Sequence, residues 1–478
     1  MTETLRSFIA GRWVDDRDHY EIRGPASGAL LAHVARATAG DVDRAADAAA
    51  AAARNRRHTP LVERTAWCRA VADRIDADAA ALAHALAEEH GKPRAEAEAE
   101  IAAGALGFRL AAAEAERLDG WIPPVADPHK RVSVIRQPLG AWALLTPWNF
   151  PFNIPIEYLG PALATASPFV WKPAPTTSRI AVRLCELMLA AGVPDALIGL
   201  VLTDEVAVAQ RLVTHPRIAA VGLTGGSATG RAVARVAWDK HLLLELGGNG
   251  PVIVLDDADL DRAVPAVAAS AFANAGQVCS AAGRVLATGG VADELVRGLA
   301  GAAGGIVVAG PDDEAATMGP VHVEAVAAAM DRHIADAAGG GAEVVAGGAR
   351  LADRPTPLFY APTVLDRVAP GALLDREETF GPLAAVVRHD DDDALLAAAN
   401  ASATGLVAAV FTTSLRRAHR FAEQLESGSV VVNDTSNYWE LHLPFGGWAG
   451  KDSGRGRLGG RTTLEQFTQL KTISVDVR

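Results

Sequence analysis

The stretch Phe272-Ala-Asn-Ala-Gly-Gln-Val-Cys-Ser-Ala-Ala-Gly-Arg284 has Cys279 near its centre. A run with helical character, residues 261–275, precedes this cysteine, and the apolar segment Val285-Leu-Ala-Thr288 follows with the pattern of a strand. Because Gly276 breaks the helix, we expect Cys279 to lie on a turn between two elements, where its side chain can face a cleft.

A carboxylate interrupts an apolar run upstream, in Leu242-Leu-Leu-Glu-Leu-Gly-Gly-Asn-Gly-Pro251. An acid in apolar surroundings needs a reason to be there. A thiol reacts as its thiolate, so a catalytic cysteine needs a lowered pKa or a nearby base. Burial raises a carboxyl pKa towards neutrality, which suits Glu245 to that role. Taken alone, Glu245 fits a salt-bridged strand end equally well.

Composition places the chain among large globular proteins. Its 478 residues predict two or three domains, and its net charge of −12 without a Lys/Arg block argues against nucleic-acid and anionic-membrane partners. The first 15 residues lack a signal-like apolar core, and no apolar stretch reaches bilayer-spanning length, so we expect a soluble cytoplasmic protein. Three cysteines suit a reducing compartment. Cys68 and Cys185 fall in helical patterns, and no Cys/His spacing predicts a metal site.

The order of the predicted elements indicates an α/β fold. Residues 1–35 have the pattern of short strands and turns, and residues 41–115 that of packed helices with breaks near 58–60 and 90–93. Strands then alternate with helices or loops in two blocks; they are predicted at 141–145, 168–171, 198–202 and 219–223, then at 252–255, 284–287, 343–346, 384–387, 406–411 and 429–432. Two further strands, 131–136 and 472–477, have no neighbour in sequence to pair with, which favours pairing across a subunit interface.

Four other features carry candidate chemistry, each with an ordinary structural alternative. Asn149, in the rigid string Thr146-Pro-Trp-Asn-Phe-Pro-Phe152, offers an NH₂ donor to an oxyanion, or simply forms a turn. Val221-Gly-Leu-Thr-Gly-Gly-Ser-Ala-Thr-Gly230 could hold a phosphate at a helix N-terminus, or be a plain strand–helix turn. Lys172, at a strand end where open α/β sheets bind ligands, could equally be a solvated lysine. Glu378 could hold ribose hydroxyls, or be an exposed loop acid.

Together these features resemble the aldehyde dehydrogenase superfamily over nearly the whole chain. The matching strings, in the family's order, are Pro147-Trp-Asn-Phe-Pro151, Glu245-Leu-Gly-Gly248, Gly276-Gln-Val-Cys279, Glu378-Thr-Phe-Gly-Pro382 and Pro444-Phe-Gly-Gly447. The chain resembles the NAD(P)-dependent hydrolytic branch, because the branch that transfers the acyl group to coenzyme A typically lacks the glutamate. It is also loosely similar to benzaldehyde and vanillin dehydrogenases.

The resemblance implies a fold of two parallel-sheet α/β domains with a small oligomerisation extension. A Rossmann-like cofactor domain would take residues 1–118 and 139–245, and a catalytic domain would take 246–443. Residues 119–138 and 444–478 would form the bridging segment of a homodimer or homotetramer.

The resemblance also implies the chemistry. Cys279 would attack an aldehyde, and the Asn149 side chain with the Cys279 N–H would hold the oxyanion. After hydride transfer to the nicotinamide, Glu245 would activate the water that hydrolyses the thioester to a carboxylic acid. The implied cofactor-binding residues are Thr146, Pro147, Trp148, Lys172, Pro175, Gly225, Gly226, Gly230, Leu246, Glu378 and Phe380. Pro175 stands where members that prefer NAD often carry a glutamate, so NADP becomes possible beside NAD, which we favour.

Substrate-binding positions also follow from the resemblance: Phe152, Asn153, Glu157, Tyr158, Val278, Ser280 and Trp439, with Ile154, Tyr438 and His442 beside them. This set mixes apolar and polar groups and contains no arginine, which argues against a dicarboxylic semialdehyde. We therefore expect an aromatic or medium-sized apolar aldehyde. The alternatives are a semialdehyde dehydrogenase of the same superfamily, a cofactor-independent thiol esterase or acyl transferase, and a non-catalytic member of the fold, which the intact trio Cys279, Glu245 and Asn149 opposes.

Overall fold

The computed structural model describes residues 3–15 and 18–478. Its strands β1 to β20 are Glu3–Leu5, Ser7–Ile9, Arg12–Val14, His19–Arg23, Leu30–Ala35, Lys130–Pro138, Trp142–Leu145, Phe169–Lys172, Ile198–Leu200, Ala220–Thr224, His241–Glu245, Val252–Val254, Val285–Thr288, Glu343–Ala346, Thr363–Asp366, Leu383–His389, Val407–Phe411, Ser429–Val432, Gly454–Arg455 and Thr468–Asp476. Its helices α1 to α15 are Ala39–Asn55, Leu61–Ala77, Ala79–His90, Arg94–Ala115, Asn153–Thr165, Ser178–Ala190, Val206–Thr214, Ser227–Val236, Leu260–Phe272, Gly289–Gly304, Glu324–Gly339, Leu373–Arg376, Asp392–Asn400, Leu415–Gln424 and Gly460–Gln466.

The first large sheet has eight strands in the order β19-β11-β10-β7-β8-β9-β2-β3, and its central five, β11 to β9, run parallel. Successive side chains of a strand point to opposite faces, so Trp142 and Leu144 enter one apolar core while Ala143 enters the other. Both faces are therefore buried under helices, which explains why these strands are apolar without alternation. The α/β class predicted from the sequence is confirmed.

The second large sheet has seven strands in the order β14-β15-β16-β13-β12-β17-β18, all parallel except β14. It encloses its own apolar core, with helices α9, α10 and α11 contributing. Strand β11 of the first sheet ends at Glu245, and β12, the first strand of the second sheet along the chain, begins at Val252. The chain therefore passes from one sheet to the other beside the predicted catalytic glutamate.

The C-terminal segment departs from the predicted division of the chain. Residues Gly454 and Arg455 pair antiparallel with Glu245 and Leu244, so part of the predicted bridging segment belongs to the first sheet. Strand β20 pairs with β6 of the same chain along the whole of both strands, whereas the sequence favoured pairing across a subunit interface. This two-stranded ribbon leaves Leu470, Ile473, Val475 and Val477 exposed. The homo-oligomer stays a prediction.

The helical region between residues 39 and 115 follows the predicted pattern, with α1 to α4 separated at the expected breaks and once more at Asp78. No helix in the described part of the chain combines the length and the apolar character that crossing a membrane requires.

Candidate active site

Cys279 lies in a turn between α9 and β13, as the sequence predicts. The helix before it ends at Phe272 rather than at the predicted Ala275, because Asn274 (φ 51°) and Ala275 (φ 55°) adopt left-handed backbone conformations. At Gly276 (φ 71°) a Cβ would stand 2.1 Å from the carbonyl oxygen of Gly381, so only glycine fits there. This compact reversal leaves the cysteine half-buried at a cavity wall.

Glu245 closes strand β11 and is only 4% exposed. Its Oε1 atom has no hydrogen-bond partner in the described part of the chain. Burial raises the pKa of Glu245 to about 8, while contact with the Cys279 thiol opposes that rise. Burial, and then the charge of Glu245, raise the pKa of Cys279 well above its usual value. The two groups that lie far apart in sequence therefore meet, and Glu245 is not the salt-bridged strand end of the alternative reading.

Asn149 lies in the loop between β7 and α5, with its side chain buried. Its Nδ2 donates to the Gln277 carbonyl at 3.0 Å, which leaves the second hydrogen of the NH₂ group free for a ligand. The N–H of Cys279 has no backbone acceptor in the described residues. Two donors are thus available beside the thiol, as stabilising an oxyanion requires.

A buried ion pair that the sequence did not reveal fixes the Asn149 loop. Lys92 Nζ lies 2.6 Å from Glu100 Oε2 and donates to the Asn149 carbonyl at 3.1 Å. Glu100 Oε1 accepts from the N–H groups of Phe152 and Asn153, at 2.9 and 3.1 Å, where α5 begins. A carboxylate there satisfies orphan donors and the positive end of the helix dipole. The pair ties the helical region to the loop that carries the oxyanion donor.

Replacing Lys92 by methionine is expected to destabilise the protein by about 3–5 kcal/mol, because Glu100 is then a buried charge without its partner. Urea unfolding measures the loss. The double variant Lys92→Met/Glu100→Gln should recover part of that stability, since it no longer buries a lone charge. A double variant that is less stable than Lys92→Met alone would contradict this view of the pair.

Two cavities meet at the cysteine. The first, of about 290 Å³, is lined by Asn149, Phe150, Asn153, Ile154, Glu157, Thr224, Glu245, Ala273, Val278, Cys279, Ser280, Asn437, Trp439, Phe445 and Leu458. The second, of about 270 Å³, is lined by Pro147, Trp148, Asn149, Ile154, Thr224, Gly225, Gly226, Glu245, Leu246, Gly247, Cys279, Glu378 and Phe380. Cys279, Glu245 and Asn149 line both. One cavity can therefore hold a substrate and the other a cofactor, with the thiol between them.

Most of the predicted cofactor residues line the second cavity: Pro147, Trp148, Gly225, Gly226, Leu246, Glu378 and Phe380. The other four lie elsewhere. Thr146 accepts a hydrogen bond from Trp171, Pro175 begins a short 3₁₀ segment, and Gly230 packs against Leu246, which lies 2.3 Å from where a Cβ would stand. Lys172 is half-buried at the end of β8, and burial lowers its pKa to about 8.

The lining of the second cavity suits the phosphate and ribose groups of a dinucleotide. A Cβ at Gly226 would project into open space, and helix α8 begins there with the unpaired N–H groups of its first turn. Gly225 differs from the expectation, because its own N–H donates to the Glu245 carbonyl at 3.1 Å. Glu378 accepts from the N–H of Gly248, and burial raises its pKa to about 8. A Cβ at Gly247 would lie 2.3 Å from Glu378 Oε2, so this glycine lets the carboxyl reach the cavity.

The predicted substrate residues divide into two groups. Asn153, Glu157, Val278, Ser280 and Trp439 line the first cavity, as does Ile154. Phe152 and Tyr158 do not, which corrects the prediction: Phe152 is fully buried beside Gly104, and the Tyr158 hydroxyl hydrogen-bonds Thr224 at 2.8 Å. Tyr438 and His442 are exposed and outside the cavity wall.

Sequence reasoning missed several wall residues: Phe150, Thr224, Ala273, Asn437, Phe445 and Leu458. Phe445 and Leu458 reach the wall because they form an isolated antiparallel bridge with each other in the C-terminal segment. No local pattern marks such a bridge. The described residues contain no group of three or more His, Cys, Asp or Glu side chains placed to hold a metal ion.

Comparison with known proteins agrees with this geometry. The sequence pattern of the aldehyde dehydrogenase family matches residues 13–473. Glutarate-semialdehyde dehydrogenase of Pseudomonas aeruginosa is 37% identical over 98% of this chain and 97% of its own length. Succinate-semialdehyde dehydrogenase [NADP(+)] of Escherichia coli is 37% identical over 98% of this chain and 97% of its own. The crystal structure of succinate-semialdehyde dehydrogenase from Burkholderia pseudomallei superimposes with a TM-score of 0.96 at 37% identity, covering 99% of this chain and 98% of that one.

Proposed function

The chain belongs to the aldehyde dehydrogenase family, and on that basis we propose that it oxidises an aldehyde to the carboxylic acid through a thioester on Cys279, with NAD or NADP as hydride acceptor. The observation that carries the proposal is the convergence of Cys279, Glu245 and Asn149 where two cavities meet. A carbonyl carbon held at that junction can be reached by the thiol from one side and by a cofactor ring from the other.

The first step is addition of the Cys279 sulfur to the aldehyde. Glu245, against the thiol, is the nearest acceptor for its proton. As the sulfur–carbon bond forms, the carbonyl electron pair moves onto oxygen, where the Asn149 NH₂ group and the Cys279 N–H can donate to it. The product is a thiohemiacetal whose oxygen is held by donors that are already fixed in place.

Trp148, Gly226, Glu378 and Phe380 would hold the cofactor in the second cavity. A nicotinamide held there would supply the acceptor for the hydride that leaves the carbon attached to sulfur. The Phe380 ring meets the Trp148 ring edge-on, with centroids 5.6 Å apart, and both rings line this cavity.

Hydrolysis of the thioester needs a base, and Glu245 is placed to provide it. Its free Oε1 can take a proton from water while the hydroxide adds to the thioester carbon. The acid then leaves, and the Cys279 thiol is restored. The same carboxyl thus acts first on the thiol and then on water, which requires that it release a proton between the two steps.

Turnover limited by hydrolysis should rise with pH through a midpoint near 8. The pKa of Glu245 is raised to about 8 by burial, so the carboxyl is neutral and inactive as a base below that pH and ionised above it. The kcat should be measured between about pH 6 and about pH 9.5 with a saturating aldehyde. A flat profile across this range would count against Glu245 as the base.

The substrate proposal differs from the aromatic aldehyde that the sequence suggested. We propose a short aldehyde with a polar group at its far end. The names of the relatives, which are glutarate- and succinate-semialdehyde dehydrogenases, support a polar far end better than an aromatic one. Asn153, Ser280 and Asn437 also give the first cavity a polar side. Pro175 removes a carboxylate that would repel a 2′-phosphate, so we expect NADP to be accepted alongside NAD.

The proposed function is tested by mixing the protein with short polar, apolar and aromatic aldehydes and each cofactor in turn. We expect the absorbance of the reduced nicotinamide to increase and the carboxylic acid to form at the same time. A thiol esterase or acyl transferase would instead cleave an activated ester without cofactor and give no such absorbance with any aldehyde. That outcome would overturn the proposal while leaving Cys279 as nucleophile.

A further inference from the structure

Within the described part of the chain, Glu157 is a carboxyl in the first cavity that has no hydrogen-bond or ion-pair partner. It lies one turn after the start of α5 and faces the first cavity beside Asn153 and Ile154. In residues 3–15 and 18–478, no hydrogen bond or ion pair engages it; the group it interacts with is Glu245, whose charge, after burial, raises the pKa of Glu157 well above its usual value. The side chain is half-buried, and removing an acid even partly from water is unfavourable unless a partner compensates it.

The rest of the cavity wall offers no compensating charge. None of its described side chains is Lys, Arg or His, so its ionisable groups besides the thiol are Glu157 and Glu245. Lys92, which lies behind the wall residue Phe150 at 4.4 Å from its ring centroid, is already paired with Glu100. A carboxylate at the far end of a substrate would therefore be an additional negative group with no partner, which opposes binding.

The aromatic part of the wall favours a positive group as well. Trp439 and Phe445, with ring centroids 5.3 Å apart, line the cavity. The Trp439 Nε1 donates to the Leu443 carbonyl, so its donor is occupied and its ring face is what remains for a ligand. Aromatic faces attract ammonium groups, most strongly where water is excluded.

We propose that Glu157 selects the substrate by its tail, and that this substrate is a short aldehyde carrying an amino or alkylammonium group at the end opposite the carbonyl. The inference rests on the proposed function and narrows its substrate class. The proposed substrate keeps the polar far end that the relatives' names support, but the polar group is positive rather than negative. The reason is that the described wall of this cavity holds two carboxyls and no cationic side chain. Ion pairing with the substrate would satisfy Glu157 and remove the repulsion between Glu157 and Glu245.

The test compares three aldehydes of the form OHC–CH₂–CH₂–X, where X is an ammonium, a methyl or a carboxylate group: 3-aminopropanal, butanal and succinic semialdehyde. We expect kcat/KM to fall in that order. In Glu157→Gln the ratio of kcat/KM for 3-aminopropanal to that for butanal should fall at least about tenfold, because a charge pair is lost. The matched control is Glu98→Gln, on the exposed face of α4, which should leave the ratio unchanged.

Binding is also measured without turnover, through the rate at which iodoacetamide alkylates Cys279. Propylamine should protect the thiol more than butyrate does in the wild-type protein, and this difference should disappear in Glu157→Gln. Preference for succinic semialdehyde, equal kcat/KM for the three aldehydes, or an unchanged ratio in Glu157→Gln would overturn the inference. These results differ from failure of the proposed function, in which no aldehyde, butanal included, would reduce the cofactor.

Discussion

Cys279→Ala is expected to lose dehydrogenase turnover by a factor of about 10⁴ or more, because Cys279 is the one thiol among the described residues that line the two cavities. The measurement is reduced-nicotinamide formation under saturating aldehyde and cofactor. Binding of the cofactor should persist, because the residues of the second cavity are otherwise intact. Cofactor binding is measured by the quenching of tryptophan fluorescence, because Trp148 lies in the wall of that cavity.

The matched control is Cys185→Ala. Cys185 is fully buried in α6, and burial raises the pKa of its thiol, so it cannot act as a nucleophile. This variant should keep turnover within a few-fold of wild type, although it loses some stability from a small core cavity. Full activity in Cys279→Ala, or inactivity in Cys185→Ala with the fold intact, would contradict the assignment.

Glu245→Gln is expected to lower kcat by about 10²- to 10⁴-fold and to show a burst of one reduced cofactor per site. The two proton transfers are affected unequally. Bound water is a far weaker acid than a thiol, so hydrolysis suffers most from loss of the base. The charge of Glu245 also raises the pKa of Cys279, so its removal makes the thiolate easier to form. Stopped-flow absorbance resolves the burst from the steady rate.

A supporting measurement uses the thiol alone. Iodoacetamide should alkylate Cys279 faster in Glu245→Gln than in wild type at the same pH above about 8, since a repelling carboxylate has gone. Slower alkylation, together with no burst, would mean that Glu245 acts chiefly as the base for the Cys279 thiol and not as the base for the hydrolytic water.

Much of the fold could be predicted because the signals are local. The parallel strands of both sheets are apolar runs bounded by breakers, and a strand such as β7 with Trp142, Ala143 and Leu144 shows full burial in its composition. The predicted site strings also lie at strand ends or loops, which is where parallel sheets present ligands. Cys279, Glu245 and Asn149 are brought together as the sequence predicts.

The remainder depends on orientation and on distant contacts. Side chains of one helix turn by about 100° per residue, so the true start of α5 at Asn153 decides that Glu157 faces the cavity while Tyr158 faces the core. The early end of α9 depends on the left-handed backbone conformations of Asn274 and Ala275. Neither residue is glycine, and an alanine in the sequence does not predict such a conformation. The Lys92–Glu100 pair supports a loop far along the chain, yet Glu100 lies in an ordinary alanine-rich helix and Lys92 in the short break before that helix.

The most direct test is mass spectrometry of Glu245→Gln after a single mixing with aldehyde and oxidised cofactor and an acid quench. We predict one acyl group, two hydrogens lighter than the corresponding aldehyde adduct, on the peptide that carries Cys279, and none in Cys279→Ala. An unmodified Cys279 in an enzyme that has already reduced its cofactor, or an acyl group on Cys68 or Cys185, would contradict the account.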